Sequence, residues 1–198
     1  MRDKIKDLYT ESLQTQISAA ELLPDAIMRA AEKMVECLIS GHKIIVCGHG
    51  RGYANAQILV ANLLNRYEFE RPSFPAVLLS LDSAVGSAII FDDNHMQLYQ
   101  RQFNAVAQTG DLLIVLASGN EEVIVNVIHA AAGKDIPVVA LTNAQNDHVH
   151  GALSENDVAI ASPATKESRI LENHLFVINA LCELVDYQIL FAPSAPSE

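Results

Sequence analysis

The sequence predicts an α/β protein: a doubly wound, three-layer α/β/α sandwich around a five-stranded parallel sheet, with helices added at the N-terminus. Three observations lead there. Continuous apolar runs of strand length alternate with helical stretches of about 10 to 15 residues, the pattern of buried parallel strands joined by crossover helices. Half of the residues are hydrophobic, yet aromatics make up 6% and Trp is absent, so the core is built of Ala, Val, Ile and Leu, which favours layered packing over an all-β sandwich. At 198 residues the chain suits one domain with a substantial core.

Ile5, Leu8, Leu13, Ile17, Ala20 and Leu22 recur near the helical period, which places a helix over about 2–22 that Pro24 breaks. A second helix over about 24–40 ends where Gly41 supplies a left-handed stop. Lys43-Ile-Ile-Val-Cys47 opens as a buried strand, and a helix over 53–67 follows the glycine-rich turn. A strand over 76–81, two helices over 83–91 and 94–108, a strand over 111–117 and a helix over 120–133 ended by Gly133 come next. Strands over 136–141 and 157–161 complete the sheet.

The final helix, about 166–189, carries Ile170, Leu175, Val177, Ile178, Leu181, Leu184, Val185 and Ile189, more than one apolar stripe accounts for. Either it lies deep within a monomer, or, with the two N-terminal helices, it packs between subunits. The Pro- and Ser-containing tail 190–198 reads as disordered, and Leu190 and Phe191 stand where helix gives way to tail. Such a pair either tucks against the body or offers a partner an apolar handle. The chain is thus effectively one domain: N-terminal oligomerisation helices over 1–42, a core over 43–189 and a tail over 190–198.

Thirteen basic against 24 acidic residues give a formal charge of −11, which repels a phosphate backbone, excludes direct DNA binding and favours basic protein partners. Cys37, Cys47 and Cys182 are odd in number, widely spaced and apolar in setting, so neither a disulfide framework nor a zinc motif is expected. The charged start leads into no apolar signal segment, and no run of about 18 apolar residues occurs, so a cytoplasmic, non-membrane protein is expected.

In an open parallel sheet, ligands sit beyond the carboxyl ends of the strands, beside helix N-termini that attract anions. Two loops qualify: Gly48-His-Gly-Arg-Gly52 and Ala117-Ser-Gly-Asn-Glu-Glu122. The first is not the G-x-G-x-x-G of dinucleotide sites, and no acidic residue is placed to end the second strand. A sugar phosphate calls for Ser or Thr hydroxyls, of which the first loop has none and the second only Ser118. Glu121 and Glu122 suit the first turn of a helix and oppose a ligand dianion, each like-charge contact costing on the order of 1–4 kcal/mol. Arg51 is the residue available to clamp an anion. What remains is a vestigial pocket of Gly48, Gly50, Arg51, Gly52, Ser118, Gly119 and Asn120. His148 and His150 lie close together without a third ligand, and no metal or cofactor is expected.

Several stretches carry a resemblance: 10–27, Ala54-Asn-Ala-Gln57, 65–76, Val139-Ala-Leu-Thr142, Arg169-Ile-Leu-Glu-Asn-His174, and 177–186 with Leu190-Phe191. Nearly the whole chain resembles the sugar isomerase (SIS) domain family, a flavodoxin-like fold. Within that family it is similar to the branch of the phosphoheptose isomerases and the DnaA initiator-associating proteins, and its two ends look like the latter. Isomerases of this branch carry a Ser at the place of Gly52, a His zinc ligand at Ile58, a general-base Glu at Asn62, a Gln ligand at Leu171 and a second catalytic His at Asn179. The resemblance therefore implies no catalytic residue and no metal, since moving a proton between adjacent sugar carbons needs a positioned acid and base. It further implies a homotetramer that binds several DnaA molecules and promotes their assembly at the replication origin, with Leu190 and Phe191 as the partner-binding anchors. The alternatives are a phosphoheptose isomerase acting on sedoheptulose 7-phosphate with substituted residues, and a sugar-phosphate-sensing regulator.

Overall fold

Buried apolar strands β1 (Ile44–Gly48), β2 (Ala76–Leu78), β3 (Leu112–Leu116), β4 (Val138–Asn143) and β5 (Val158–Ser162) form one all-parallel sheet, ordered β2-β1-β3-β4-β5, in the computed structural model of the chain, which describes residues 1–191. Every residue of β1, β3 and β4 is buried, because helices cover both faces. Ile44, Val46, Leu112, Ile114, Leu116, Val139 and Leu141 point to one layer, formed by α1 (Arg2–Leu22), α2 (Pro24–Ile39), α3 (Gly52–Leu64) and α8 (Glu167–Leu190). Ile45, Cys47, Leu113, Val115, Val138 and Ala140 point to the other, where α4 (Ala84–Phe91), α5 (Leu98–Val106), α6 (Glu122–Ala132) and the short α7 (Asp147–Ala152) pack. The alternation fixes the register, since a one-residue slip would exchange the two faces. The expected sandwich of five parallel strands is the observed one.

Several boundaries differ from the sequence expectation. The second strand stops at Leu78 rather than Leu81: it is an edge with β1 as its neighbour, and the Ser80 N–H and C=O turn to the Gln102 side chain at 2.9 and 3.0 Å. The 94–108 helix divides into a 3-10 turn, His95–Gln97, and α5. Gly133 follows α6 with φ −67°, so it supplies no left-handed stop; the left-handed residue there is Asp135 at φ 55°. Gly41 does have φ 80°, as its role at the end of α2 requires. The stretch around His148, where the sequence predicts no helix, holds α7, whose N-cap Asn146 accepts from the Val149 N–H. The tail's expected disorder concerns residues that, from 192 on, lie outside those described.

The helix expected to run to residue 67 ends at Leu64, where Arg71 caps it. Its side chain is buried, with Nη2 donating to Asn62 O at 2.8 Å and Nη1 to Leu63 O at 3.0 Å, so the guanidinium satisfies carbonyls left over at the end of α3. Its Nε donates to Asp186 Oδ1 of α8 at 2.7 Å, and its plane lies over the Phe74 ring at 3.9 Å. The loop between α3 and β2 is thereby tied to the last turns of α8.

Packing of α1 is unusual. Of its 21 residues only Ala19 is buried, and polar bonds hold it on α8: Ser12 Oγ donates to Glu172 at 2.8 Å, and Asn173 Nδ2 donates to Gln16 Oε1 at 3.1 Å. Ile5, Tyr9, Leu13 and Ile17, a ridge at i, i+4 spacing, face outward. A groove of about 740 Å³ between α1, α2 and α8 is lined by Leu13, Ile17, Leu23, Ile27, Phe176 and Leu184. The inner face of α8 buries Ile170, Val177, Ile178, Leu181 and Val185, while Phe176 and Tyr187 stay exposed.

Candidate functional site

The loops after β1 and β3 meet at the carboxyl end of the sheet, where the strand order reverses between β1 and β3. Glycine geometry makes the first loop possible. Gly50 has φ 54°, and a Cβ on Gly48 would stand 2.7 Å from the Gly52 carbonyl oxygen and 2.9 Å from its carbon. The strand thus turns tightly into α3, with Gly52 N donating to His49 O at 3.0 Å and the Tyr99 hydroxyl to Gly48 O. Gly48, Gly50, Arg51 and Gly52 share this mouth with Ser118, Gly119 and Asn120 of the second loop. Asn143 Nδ2 donates to Ser118 O at 3.0 Å, and Asn146 Nδ2 to Gly119 O at 2.7 Å, so β4 and α7 hold that loop from behind.

Three donors that could receive an anion, the Gly119 N–H, the Arg51 guanidinium and the Ser118 hydroxyl, are already engaged. The Glu121 carboxylate folds back to accept the Gly119 N–H, with oxygens at 3.1 and 3.2 Å, ahead of α6. Arg51, offered by the sequence as a clamp, is exposed and pairs with Glu167 at the start of α8. Ser118 Oγ donates to the other Glu167 oxygen at 3.4 Å. Burial holds the His49 imidazole below its usual range, so it adds no cation near neutral pH. The mouth therefore contains two carboxylates, one of them on the backbone amide and the other on the arginine.

Burial pushes the Glu121 carboxyl up to about 7, with the Glu167 charge adding to the effect against the hydrogen bond from Gly119. Its folded value stands above the unfolded 4.5. The group therefore favours folding most below about pH 4.5, and that contribution fades as pH rises to about 7. Glu121→Gln is expected to keep the acceptor and remove the titration, gaining on the parent in urea midpoint across this window. Partial exposure reduces the size of the gain. Parallel midpoint curves from pH 4 to 8 would contradict the placement.

Ile58 and Asn62 are on α3, and Leu171 and Asn179 on α8, two helices that pack together, with Asn55 Nδ2 donating to Leu171 O at 3.0 Å. Among the described residues no group of three or more His, Cys, Asp or Glu is arranged to hold a metal ion; His148 is exposed, and His150 Nε2 meets Asn143 O at 3.1 Å. Leu190 is the last residue of α8 and Phe191 its C-cap, the Phe191 N–H donating to Tyr187 O at 3.0 Å. Both side chains are exposed, and they stand apart from the two loops.

Sequence reasoning missed the engagement of Glu121 and Glu167, the Arg71–Asp186 pair, and Phe69, whose ring meets Phe191 edge-on at 5.2 Å. One signal was available: Asp186 sits on the apolar face of α8 beside Cys182 and Val185, where a carboxylate requires a buried cation.

Residues 8–143 match the model of the SIS domain family. An uncharacterized protein of Haemophilus influenzae is 56% identical over 98% of this chain and 100% of its own length. A Serratia proteamaculans protein named DnaA initiator-associating protein DiaA is 44% identical over 94% of this chain and 95% of its own. Among solved structures, a phosphoheptose isomerase from Francisella tularensis superposes with TM-score 0.89 at 32% identity, covering 93% of this chain and 97% of that one. By the family match, and by sharing nearly its whole length with these proteins, the chain belongs to the SIS domain family.

Proposed function

We propose that the chain is a non-catalytic SIS-fold homotetramer that binds several DnaA molecules and promotes their assembly at the replication origin. The observation that carries this reading is 44% identity over 94% of the chain with relatives named for association with DnaA. Assembly is supported by the outward apolar ridge of α1 and the groove beside it, which a lone chain leaves in water and residues 1–42 would bury between copies. Four copies of Leu190 and Phe191 on one body would raise the local concentration of DnaA, an avidity gain of roughly 10²–10⁴ over a single contact. With a charge of −11, contact with DNA falls to the partner. Among the described residues no helix is long and apolar enough to cross a membrane, in keeping with action in the cytoplasm.

Absence of catalysis is supported by the side chains present at four positions of α3 and α8. Ile58 and Leu171 carry no titratable atom, and the amides of Asn62 and Asn179 cannot take up a proton near neutral pH. Sugar-phosphate sensing is disfavoured by the Glu121 carboxylate on the Gly119 amide. The likeness to phosphoheptose isomerase structures keeps one alternative specific enough to test. Conversion of sedoheptulose 7-phosphate to an aldose by the purified protein would overturn the non-catalytic reading. For the main reading, immobilised protein is expected to capture purified DnaA, with a solution mass four times the 21.5 kDa of the chain. A folded protein that captures none would contradict it.

A further inference from the structure

The Phe69–Phe191 contact joins two segments far apart in the sequence, and both rings remain about half exposed, at 48% and 53%, despite touching with planes 72° apart. An edge-on pair that leaves this much of each ring in water has apolar area to give to something else. Tyr187, one helical turn before Phe191, and Leu190 extend the same face of α8 and are also exposed. The loop that carries Phe69 is pinned. Two residues on, Arg71 is buried in its bonds to Asp186, Leu63 and Asn62, and Arg66 Nε pairs with Glu70 at 3.1 Å. The aromatic pair is therefore presented before any partner arrives, which lowers the ordering cost of binding.

Charge around the pair has one prevailing sign. Glu68 and Glu70 flank Phe69, Glu183 precedes Tyr187 by a turn, and both Glu68 and Glu183 act on the Tyr67 hydroxyl, raising its pKa after the larger effect of burial. Arg66 is taken up by Glu70, and Arg71 is buried with Asp186.

We propose that Phe69 and Phe191 form one composite aromatic anchor, so that the partner-binding surface extends from the end of α8 onto the loop between α3 and β2 and fits an apolar cleft bordered by basic side chains on DnaA. This rests on the partner reading above. Rigid aromatic anchors with a polar rim are the parts of an interface that dominate its affinity, and an acidic rim governs the encounter rate with a basic partner.

The test measures binding of purified DnaA to the parent, Phe69→Ala, Phe191→Ala, the Phe69→Ala/Phe191→Ala double variant and Glu68→Lys/Glu70→Lys, with mass and melting temperature for each. Phe69→Ala is expected to weaken binding roughly tenfold or more at unchanged mass and melting temperature. The double variant should fall within about twofold of Phe191→Ala, because residues acting as a unit are not additive. Glu68→Lys/Glu70→Lys should slow association and flatten its salt dependence. If Phe69→Ala disturbs mass or melting, Phe69→Leu takes its place, keeping apolar volume and losing the ring. Parent-like affinity of the Phe69 variant overturns the composite anchor while leaving the partner reading intact. Failure of the parent itself to bind overturns both.

Discussion

Arg71→Ala is expected to cost about 3–5 kcal/mol of folding stability, read as a fall in urea midpoint. Removing this side chain leaves Asp186 buried, 2% exposed at the side chain, with its Oδ1 partner gone and its Oδ2 already unpartnered. It also withdraws donors from the carbonyls of Asn62 and Leu63 and the stacking over Phe74. Truncation from the other side is milder: in Asp186→Asn the guanidinium keeps its carbonyl acceptors, and the amide oxygen remains to accept from Nε. A joint Arg71→Met/Asp186→Leu change should recover most of the loss, since a buried pair replaced by apolar groups of similar size leaves no stranded charge. A single-variant loss below about 1 kcal/mol would mean that water reaches the pair.

Gly48→Ala should be comparably damaging for a different reason. The new methyl would lie 2.7 Å from the Gly52 carbonyl oxygen and 3.1 Å from the Ala56 Cβ, and the first obstacle is backbone. Relief requires moving the turn from β1 into α3, which carries Leu59 and Leu63 of the core and Asn55 against α8. A cost of roughly 3 kcal/mol or more is expected, at the upper end of overpacking effects. Gly50→Ala at φ 54° should cost about 1 kcal/mol, because there the strain is conformational and nothing stands within 4 Å of the added methyl. Equal losses at the two positions would show that conformational freedom, and not close approach, sets the need for glycine in this turn.

The sheet was legible in the sequence because its central strands β1, β3 and β4 are short, largely apolar and buried on both faces. Leu112–Leu116 and Val138–Leu141 show no period-two pattern, and only a covered parallel sheet accommodates that. The edge strand was overextended because Leu79 and Leu81 stay apolar beyond its end and the Leu79 N–H still donates to Val46 O at 2.8 Å, so composition alone could not mark the end of β2. At the mouth, the sequence placed both loops and recognised that acids at a helix start oppose a phosphate. It could not foresee that Glu121 would turn back onto the Gly119 amide, or that Glu167, distant in the chain, would bind Arg51 and Ser118 together. These are choices among rotamers made after the helices are packed. Phe69 was unreadable for the same reason: one aromatic in a charged loop acquires meaning only when α8 brings Phe191 to it.

The α1 surface sharpens the assembly reading. A helix held by Ser12, Gln16 and Glu11 through polar bonds leaves Ile5, Tyr9, Leu13 and Ile17 exposed, the last two along the open apolar groove it forms with α2 and α8. Burial of such side chains contributes about 1.5–3 kcal/mol each for the large aliphatic ones, enough to make association of copies strongly favourable once entropy is offset. Leu190 and Phe191 lie at the far end of α8 from Glu172 and Asn173, where α1 docks. Their truncation is accordingly expected to leave assembly untouched.

The central claim, that this chain works by capturing DnaA through Leu190 and Phe191 on an intact oligomer, is tested most directly by a pull-down of purified DnaA with the parent and with Leu190→Ala/Phe191→Ala, both weighed by light scattering. The account predicts capture by the parent alone, with both proteins at tetramer mass. Equal capture by both proteins, or loss of capture together with loss of the tetramer, would contradict it.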